Sequence, residues 1–253
     1  MIVAISGANK DIGKSSLASY LIAHCRSCAA AKFTLHREEP AGASIIEETL
    51  PDSEVTNDTA RMHQAGASPV YWVRTTRDSL ERRAGEVMKM IGEGTVILEG
   101  NSVLEYVRPD YAVFIMGAGF DGFKESAWKA LAAADTILVN GDAAIAGAEA
   151  IGLEKRCKEL SPGAKIIFAC EVGRDNAYAI ILSRIIGRPG GDVFMQDLDQ
   201  RIVKELRARA EDGRIPCGVA LKLAEELGVS PQEVGRAANE LKIKVMNCSL
   251  GCF

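Results

Sequence analysis

The sequence predicts an α/β architecture: a three-layer domain around a parallel sheet over residues 1–187, then a small helical module over 193–253. Three observations carry that prediction. Short β-branched apolar runs alternate with helix-period segments at spacings too long for hairpins, which demands right-handed parallel crossovers. The first of those runs breaks into a Gly-Lys-Ser loop that opens the first helix. Finally, Arg188-Pro-Gly-Gly191 is a cluster of chain breakers and reads as the linker between the two parts.

Ile2 to Ile5 reads as the first buried strand and Leu17 to Ala23 as the first helix, with Gly7-Ala8-Asn9-Lys10-Asp11-Ile12-Gly13-Lys14-Ser15-Ser16 between them. Gly13 lets backbone N–H groups close on an anion, and the first turn of the helix adds unpaired N–H groups and its positive end. Lys14 would reach the β/γ-phosphates of a nucleotide, and the Ser15 hydroxyl would sit on Mg²⁺. The common phosphate-loop form is G-x-x-x-x-G-K-S/T; here Ala8 stands at the first glycine position, with Gly7 one residue earlier. The alternative is a chance Gly-Lys-Ser at a helix start, against which the strand-before, helix-after context argues. Residues 8 to 16 are therefore the expected nucleotide contacts, with Lys14 as a catalytic candidate.

The remaining elements follow in order. Ala31 to His36 reads as a strand, and Arg37 to Thr56 as a long loop in which Glu38 and Glu39 are either Mg²⁺-approaching acids or solvated charges. Asn57 or Asp58 caps a helix that runs to Gln64 and stops at Gly66. Val70 to Val73 is a third parallel strand, whose Tyr71 and Trp72 line a cleft or, more commonly, fill core. Ser79 to Ile91 is an amphipathic helix. Thr95 to Leu98 is a strand ending at Glu99, a carboxylate placed where open α/β sheets hold their ligands. Glu99 is the second catalytic candidate and, with Ser15, the expected Mg²⁺ holder; a helix cap or loop salt bridge is its structural alternative. Asn101 and Ser102 follow it and are candidates to bond phosphate or substrate. Tyr111 to Met116 is a strand, Lys124 to Ala133 a helix, and Thr136 to Val139 a strand that runs into Asn140. A helix to about Leu160, a strand Lys165 to Cys170 and a helix Ala177 to Ile186 complete the domain.

The stretch Gly7 to Ser15 has the spacing of the phosphate loop of dethiobiotin synthetases, and Asn57-Asp58-Thr59-Ala60-Arg61-Met62-His63-Gln64-Ala65-Gly66-Ala67 resembles the D-S/T-x-R-x-x-x-A-G-A stretch of the MobB-type GTP-binding adaptors of molybdopterin guanine dinucleotide synthesis. Val96-Ile-Leu-Glu99-Gly100 resembles the strand end found in both families. Together the matches imply the signal-recognition/MinD-like branch of P-loop proteins: Mg-dependent binding of ATP or GTP, slow hydrolysis, and a protein partner or homodimer in metallocofactor assembly. In that branch an Asn at the position of Asn140 reads the base, although Gly141 and Asp142 depart from the GTP-specific pattern and leave ATP and GTP both open. An ATP-dependent ligase is one alternative activity, and a nucleotide-gated regulator whose winged-helix-like module over 193–253 contacts DNA or protein is the other. Departures from the ligase pattern are the loss of two glycines after Glu99-Gly100, and Lys32-Phe-Thr-Leu-His36 where dethiobiotin synthetases carry Lys-Pro-Val.

The last part of the chain matches neither family. Leu198 to Ala210 and Val219 to Leu227 are helical, and Ser230 caps a third helix with Pro231 at its first position and Val234, Ala237, Ala238 and Leu241 on its apolar side. The pattern looks like a helix-turn-helix, with Ile243 to Met246 as a wing. From Val193 onward nine basic residues balance nine acidic ones, which disfavours DNA and favours a docking role. Cys217, Cys248 and Cys252 would meet if the wing folds back, a donor set for an iron–sulfur cluster or zinc; buried small side chains and a frayed terminus are the alternative. Cys25 and Cys28 form a C-x-x-C at a helix end and read as ordinary thiols. The net charge of −4 offers no general nucleic-acid or anionic-membrane footprint. With no charged leader, no run of about eighteen apolar residues and seven cysteines of odd count, the expectation is a cytoplasmic protein with reduced thiols.

Overall fold

The computed structural model describes residues 1–42, 44–48, 57–140, 148–194, 200–229 and 231–246. The chain divides into two compact units, Met1–Gln196 and Asp197–Phe253. Arg188 to Gly191 lies within the first: Arg188 Nη2 donates to Asp135 Oδ1 at 2.6 Å, and Arg26 N donates to Val193 O at 2.9 Å.

The first unit runs β1 (Ile2–Gly7), α1 (Lys14–Ala23), β2 (Ala29–Leu35), β3 (Ile45–Glu47), α2 (Asp58–Gln64), β4 (Val70–Thr75), α3 (Leu80–Ile91) and β5 (Val96–Glu99). It continues with a 3₁₀ turn (Ser102–Glu105), β6 (Tyr111–Met116), α4 (Glu125–Ala132), β7 (Thr136–Val139), α5 (Ala148–Leu160), β8 (Lys165–Phe168), α6 (Ala169–Val172), α7 (Arg174–Ile186) and a second 3₁₀ turn (Gly191–Phe194). Eight strands form one sheet in the order β3-β4-β2-β5-β1-β6-β7-β8. All neighbours are parallel except β3, which lies antiparallel on β4 at the edge. This is the three-layer α/β architecture that the sequence predicts.

Strand alternation explains the layers, because successive side chains leave a strand on opposite faces. Val3, Ile5, Ile97, Tyr111, Val113 and Ile115 pack with α1, α2 and α7. On the other face, Ala4, Val96 and Leu98 meet α3, while Phe114 and Met116 meet α4 and α5. Central strands covered on both sides read as continuous apolar runs, which is how β1, β5 and β6 read in sequence.

Two local differences from the sequence reading have simple causes. The segment 37–56 is not loop throughout: β3 is a three-residue edge strand, too short to show a period. The strand read to Cys170 ends at Phe168, because Ala169–Val172 turns as a helix whose C-cap, Gly173, has φ 82°.

The second unit contains α8 (Gln200–Arg209), β9 (Arg214–Pro216), α9 (Cys217–Leu227), α10 (Pro231–Glu240) and β10 (Lys244–Met246). Its core is Ile202, Leu206, Ile215, Ala220, Leu223, Ala224, Val234, Ala237, Ala238 and Ile243. β10 occupies the segment read as a wing, and its partner is β9, with which it pairs in parallel. Ser230, the expected cap of the third helix, lies outside the described residues.

Candidate functional site

The loop after β1 is shaped by two glycines with different requirements. At Gly7 a Cβ would stand 2.8 Å from the Ile115 carbonyl, so the strand end closes against β6 only without a side chain. Gly13 has φ 105° and caps α1; a Cβ there would meet Asn140 Nδ2 at 2.9 Å. Ala8, at the departing position of the motif, is accommodated: its N–H donates to Ile115 O at 2.8 Å and its methyl joins the cluster containing Phe114 and Met116. The glycine displaced by one residue thus answers a contact with the neighbouring strand.

Lys14 begins α1, and its Nζ donates to Asn9 O at 2.6 Å across the loop. Burial lowers the Lys14 ammonium from its ordinary pKa, with Glu99 pulling the other way. Asp11 also takes positive φ, at 56°. Asn140 Nδ2 donates to Ile12 O at 2.8 Å, so the amide expected to read a base is bonded to the loop itself. The Tyr178 hydroxyl, buried and without a hydrogen-bond partner among the described residues, would lie 3.7 Å from a Cβ on Gly13. Of the other loop residues, Asn9, Lys10 and Asp11 are exposed and Ile12 packs against the core, while Ser16 is exposed on the first turn of α1.

Ser15 and Glu99 meet: Ser15 Oγ donates to Glu99 Oε2 at 3.0 Å, and Glu99 is only 2 % exposed at the end of β5. The sheet register explains the meeting, since Glu99 pairs with Ile5 on β1 and with Lys32 on β2. Two further residues join them: Lys32, which the sequence does not single out as a site residue, and Asp58, which it offers as a helix cap and as part of the MobB-like stretch. Lys32 Nζ donates to Glu99 Oε1 at 3.0 Å and also to Asp58 Oδ2. Asp58 is the first residue of α2, placed there by the Asn57 cap, whose Oδ1 accepts from Ala60 N at 2.7 Å. Burial opposes ionisation of Asp58, but Lys32 outweighs it and holds the carboxyl below the usual range. Burial likewise opposes the charge on Lys32, and Glu99 and Asp58 together raise it above the ordinary lysine value. The sequence signal for Lys32 is a single charge inside the otherwise apolar run of β2, with Ala29, Ala30 and Ala31 ahead of it.

Other sequence candidates are placed elsewhere. Asn101 does not offer its amide to a phosphate: Nδ2 donates to Gly7 O and Oδ1 accepts from Gly7 N, both at 2.9 Å, so it clamps the end of β1. Ser102 is buried in the 3₁₀ turn. Glu39 accepts from Ser79 and Thr76 hydroxyls rather than approaching Ser15, and Glu38 is exposed. Tyr71 is core, and Trp72 Nε1 donates to Thr34 Oγ1 at 3.0 Å. Cys25 and Cys28 are free thiols, and Cys25 Sγ donates to Ser27 O at 3.3 Å; the neighbouring Cys28 lowers the Cys25 thiol, and Cys25 together with burial raises that of Cys28. Cys217 is buried at the start of α9, whereas Cys248 and Cys252 lie outside the described residues. Among the described residues no group of three or more His, Cys, Asp or Glu side chains is arranged to hold a metal ion. No helix among them is long and apolar enough to cross a membrane.

Chemically, the arrangement offers loop N–H groups and one ammonium for an anion, beside a hydroxyl and two carboxylates for a hard cation. No protein-family profile matches the chain, and no curated protein matches it. Among solved structures, the signal recognition particle 54 kDa protein from Aeropyrum pernix K1, in complex with GDP, aligns with 90% of this chain and 57% of its own at 16% identity and a TM-score of 0.38. The chain thus spans little more than half the length of that protein, and a likeness at this level carries no argument beyond the geometry already described.

Proposed function

We propose that the first unit binds a magnesium nucleoside triphosphate, ATP or GTP, and hydrolyses it slowly as a switch. The observation that supports this reading is the convergence of Lys14, Ser15 and Glu99 at the carboxyl edge of β1 and β5. Lys14 would exchange its bond to Asn9 O for phosphate oxygens, and N–H groups from residues 9 to 16 would surround them, that of Ala8 being held by Ile115 O. Ser15, Glu99 and Asp58 fit magnesium by their chemistry, being hard oxygen donors from three different elements. Magnesium, when bound, would neutralise charge on the phosphates. Glu99, nearly fully buried, would also be placed to orient an attacking water, and Asn140 to meet the base.

The MobB-like reading places this switch in molybdenum or other metallocofactor assembly, with a protein partner or a second copy of the chain. The second unit would be the docking module. DNA is not favoured for it, because Arg209 is neutralised by Glu205 and Glu226. A second reading, phosphoryl transfer to a small carboxylic acid or amine as in a dethiobiotin-like ligase, draws support from Lys32, a second ammonium beside Glu99.

Phosphate release separates the two. A switch releases phosphate slowly from ATP or GTP alone and faster with its partner; a ligase releases it only when a small carboxylic or amine substrate is added. Absence of any magnesium-dependent binding of fluorescent ATP or GTP analogues would exclude both.

A further inference from the structure

Glu99 and Asp58 already have a cation between them, and it is part of the chain. The Lys32 ammonium takes Glu99 Oε1 and an Asp58 oxygen, while the hydroxyl of Ser15 takes Glu99 Oε2. A carboxylate that is 2 % exposed needs such a partner, because an isolated charge is strongly disfavoured away from water. The lysine is delivered by the sheet: β2 and β5 pair in parallel with Lys32 opposite Glu99, so its place is fixed by strand register rather than by a loop. Its side chain keeps 20 % exposure, which leaves the aliphatic stem a route by which the ammonium can withdraw toward solvent. An ammonium and a divalent ion cannot share the same carboxylate oxygens at bonding distance without strong repulsion.

We infer that Lys32 is a built-in counter-ion of this site that keeps divalent cations out until a nucleotide arrives, so that metal and nucleotide enter together. Resting on the nucleotide reading above, the inference adds its order of events. Triphosphate brings the negative charge that Lys32 can move to, releasing Glu99 and Asp58 to the metal. Lys32 thereby couples the two ligands: each strengthens the binding of the other.

The test is a titration of the full chain with Mn²⁺ alone, reading free Mn²⁺ by electron paramagnetic resonance, for the natural sequence and for Lys32→Met and Lys32→Gln. The natural protein should hold Mn²⁺ weakly without nucleotide, and the two variants about tenfold or more tighter, because their carboxylates have lost the competing charge. The same variants should lose most of the mutual enhancement between Mn²⁺ and ATP or GTP. A Lys32→Met chain that folds only when Mn²⁺ is present supports the inference as well. Equal Mn²⁺ affinity in all three proteins overturns it, as does a Lys32→Met chain that is unfolded with or without Mn²⁺ while Lys32→Gln binds no better than the natural sequence. If the natural protein binds no nucleotide at all, the nucleotide reading fails, yet a gain of Mn²⁺ affinity in the variants still identifies Lys32 as the resident counter-ion.

Discussion

Gly13 and Lys32 mark the two kinds of residue on which the site depends. Gly13 is a backbone requirement: with φ 105° and no room toward Asn140, it admits no side chain without strain. Gly13→Ala should destabilise the first unit by about 2 kcal/mol, the upper end of the left-handed penalty for an L-residue, and should also displace the Asn140–Ile12 bond. Chemical denaturation measures this, and an unchanged midpoint would contradict it. Gly13, Lys14 and Ser15 were readable from sequence because the motif is local and its spacing carries its own chemistry. Lys32 was not, because its role arises only when two strands far apart in sequence pair in register. The clamp formed by Asn101 was hidden for a related reason: a polar side chain after a strand end looks the same whether it awaits a ligand or bonds its own backbone.

At the scale of elements, α2 matters because its first residue enters the site. Asn57 holds that turn by accepting from Ala60 N, and its Oδ1 also accepts from Thr59 Oγ1 at 2.9 Å. Asn57→Ala should cost about 1 kcal/mol, the usual loss for an N-cap. The same variant should weaken magnesium-dependent nucleotide binding, since Asp58 sits on the loosened turn. A thermal scan paired with nucleotide titration checks both, and full retention of stability and affinity would contradict the role given to the cap. Central strands and amphipathic helices such as α3 were legible because they carry a clear period over several residues. The three-residue strands β3 and β9 were not: Ile45–Glu47 lies in a Glu/Gly/Ser-rich stretch and Arg214–Pro216 ends on a proline, so neither shows the apolar run that marked Ile243 to Met246.

For the molecule as a whole, the two units have separate apolar cores, those of the large sheet and that of α8 to α10. A chain ending at Gln196 should therefore unfold cooperatively and keep its nucleotide affinity, while losing whatever the second unit docks to. Aggregation of that fragment, or loss of nucleotide binding, would show that the first unit does not stand alone. The three-layer order was legible in sequence because the alternation of strands and helices leaves few right-handed parallel arrangements. The position of the division was not: the Pro-Gly-Gly breakers at 189–191 form a turn inside the first unit, secured by Arg188 to Asp135.

The most direct measurement is calorimetric titration of Mg²⁺ with ATP and with GTP into the natural protein and into Lys14→Ala, with circular dichroism to compare their folds. Lys14 should supply charge-assisted bonds to phosphate, so the variant should keep its fold and bind at least about a hundredfold more weakly. Equal affinity in the two proteins would contradict a polyphosphate-gripping loop at residues 7 to 16.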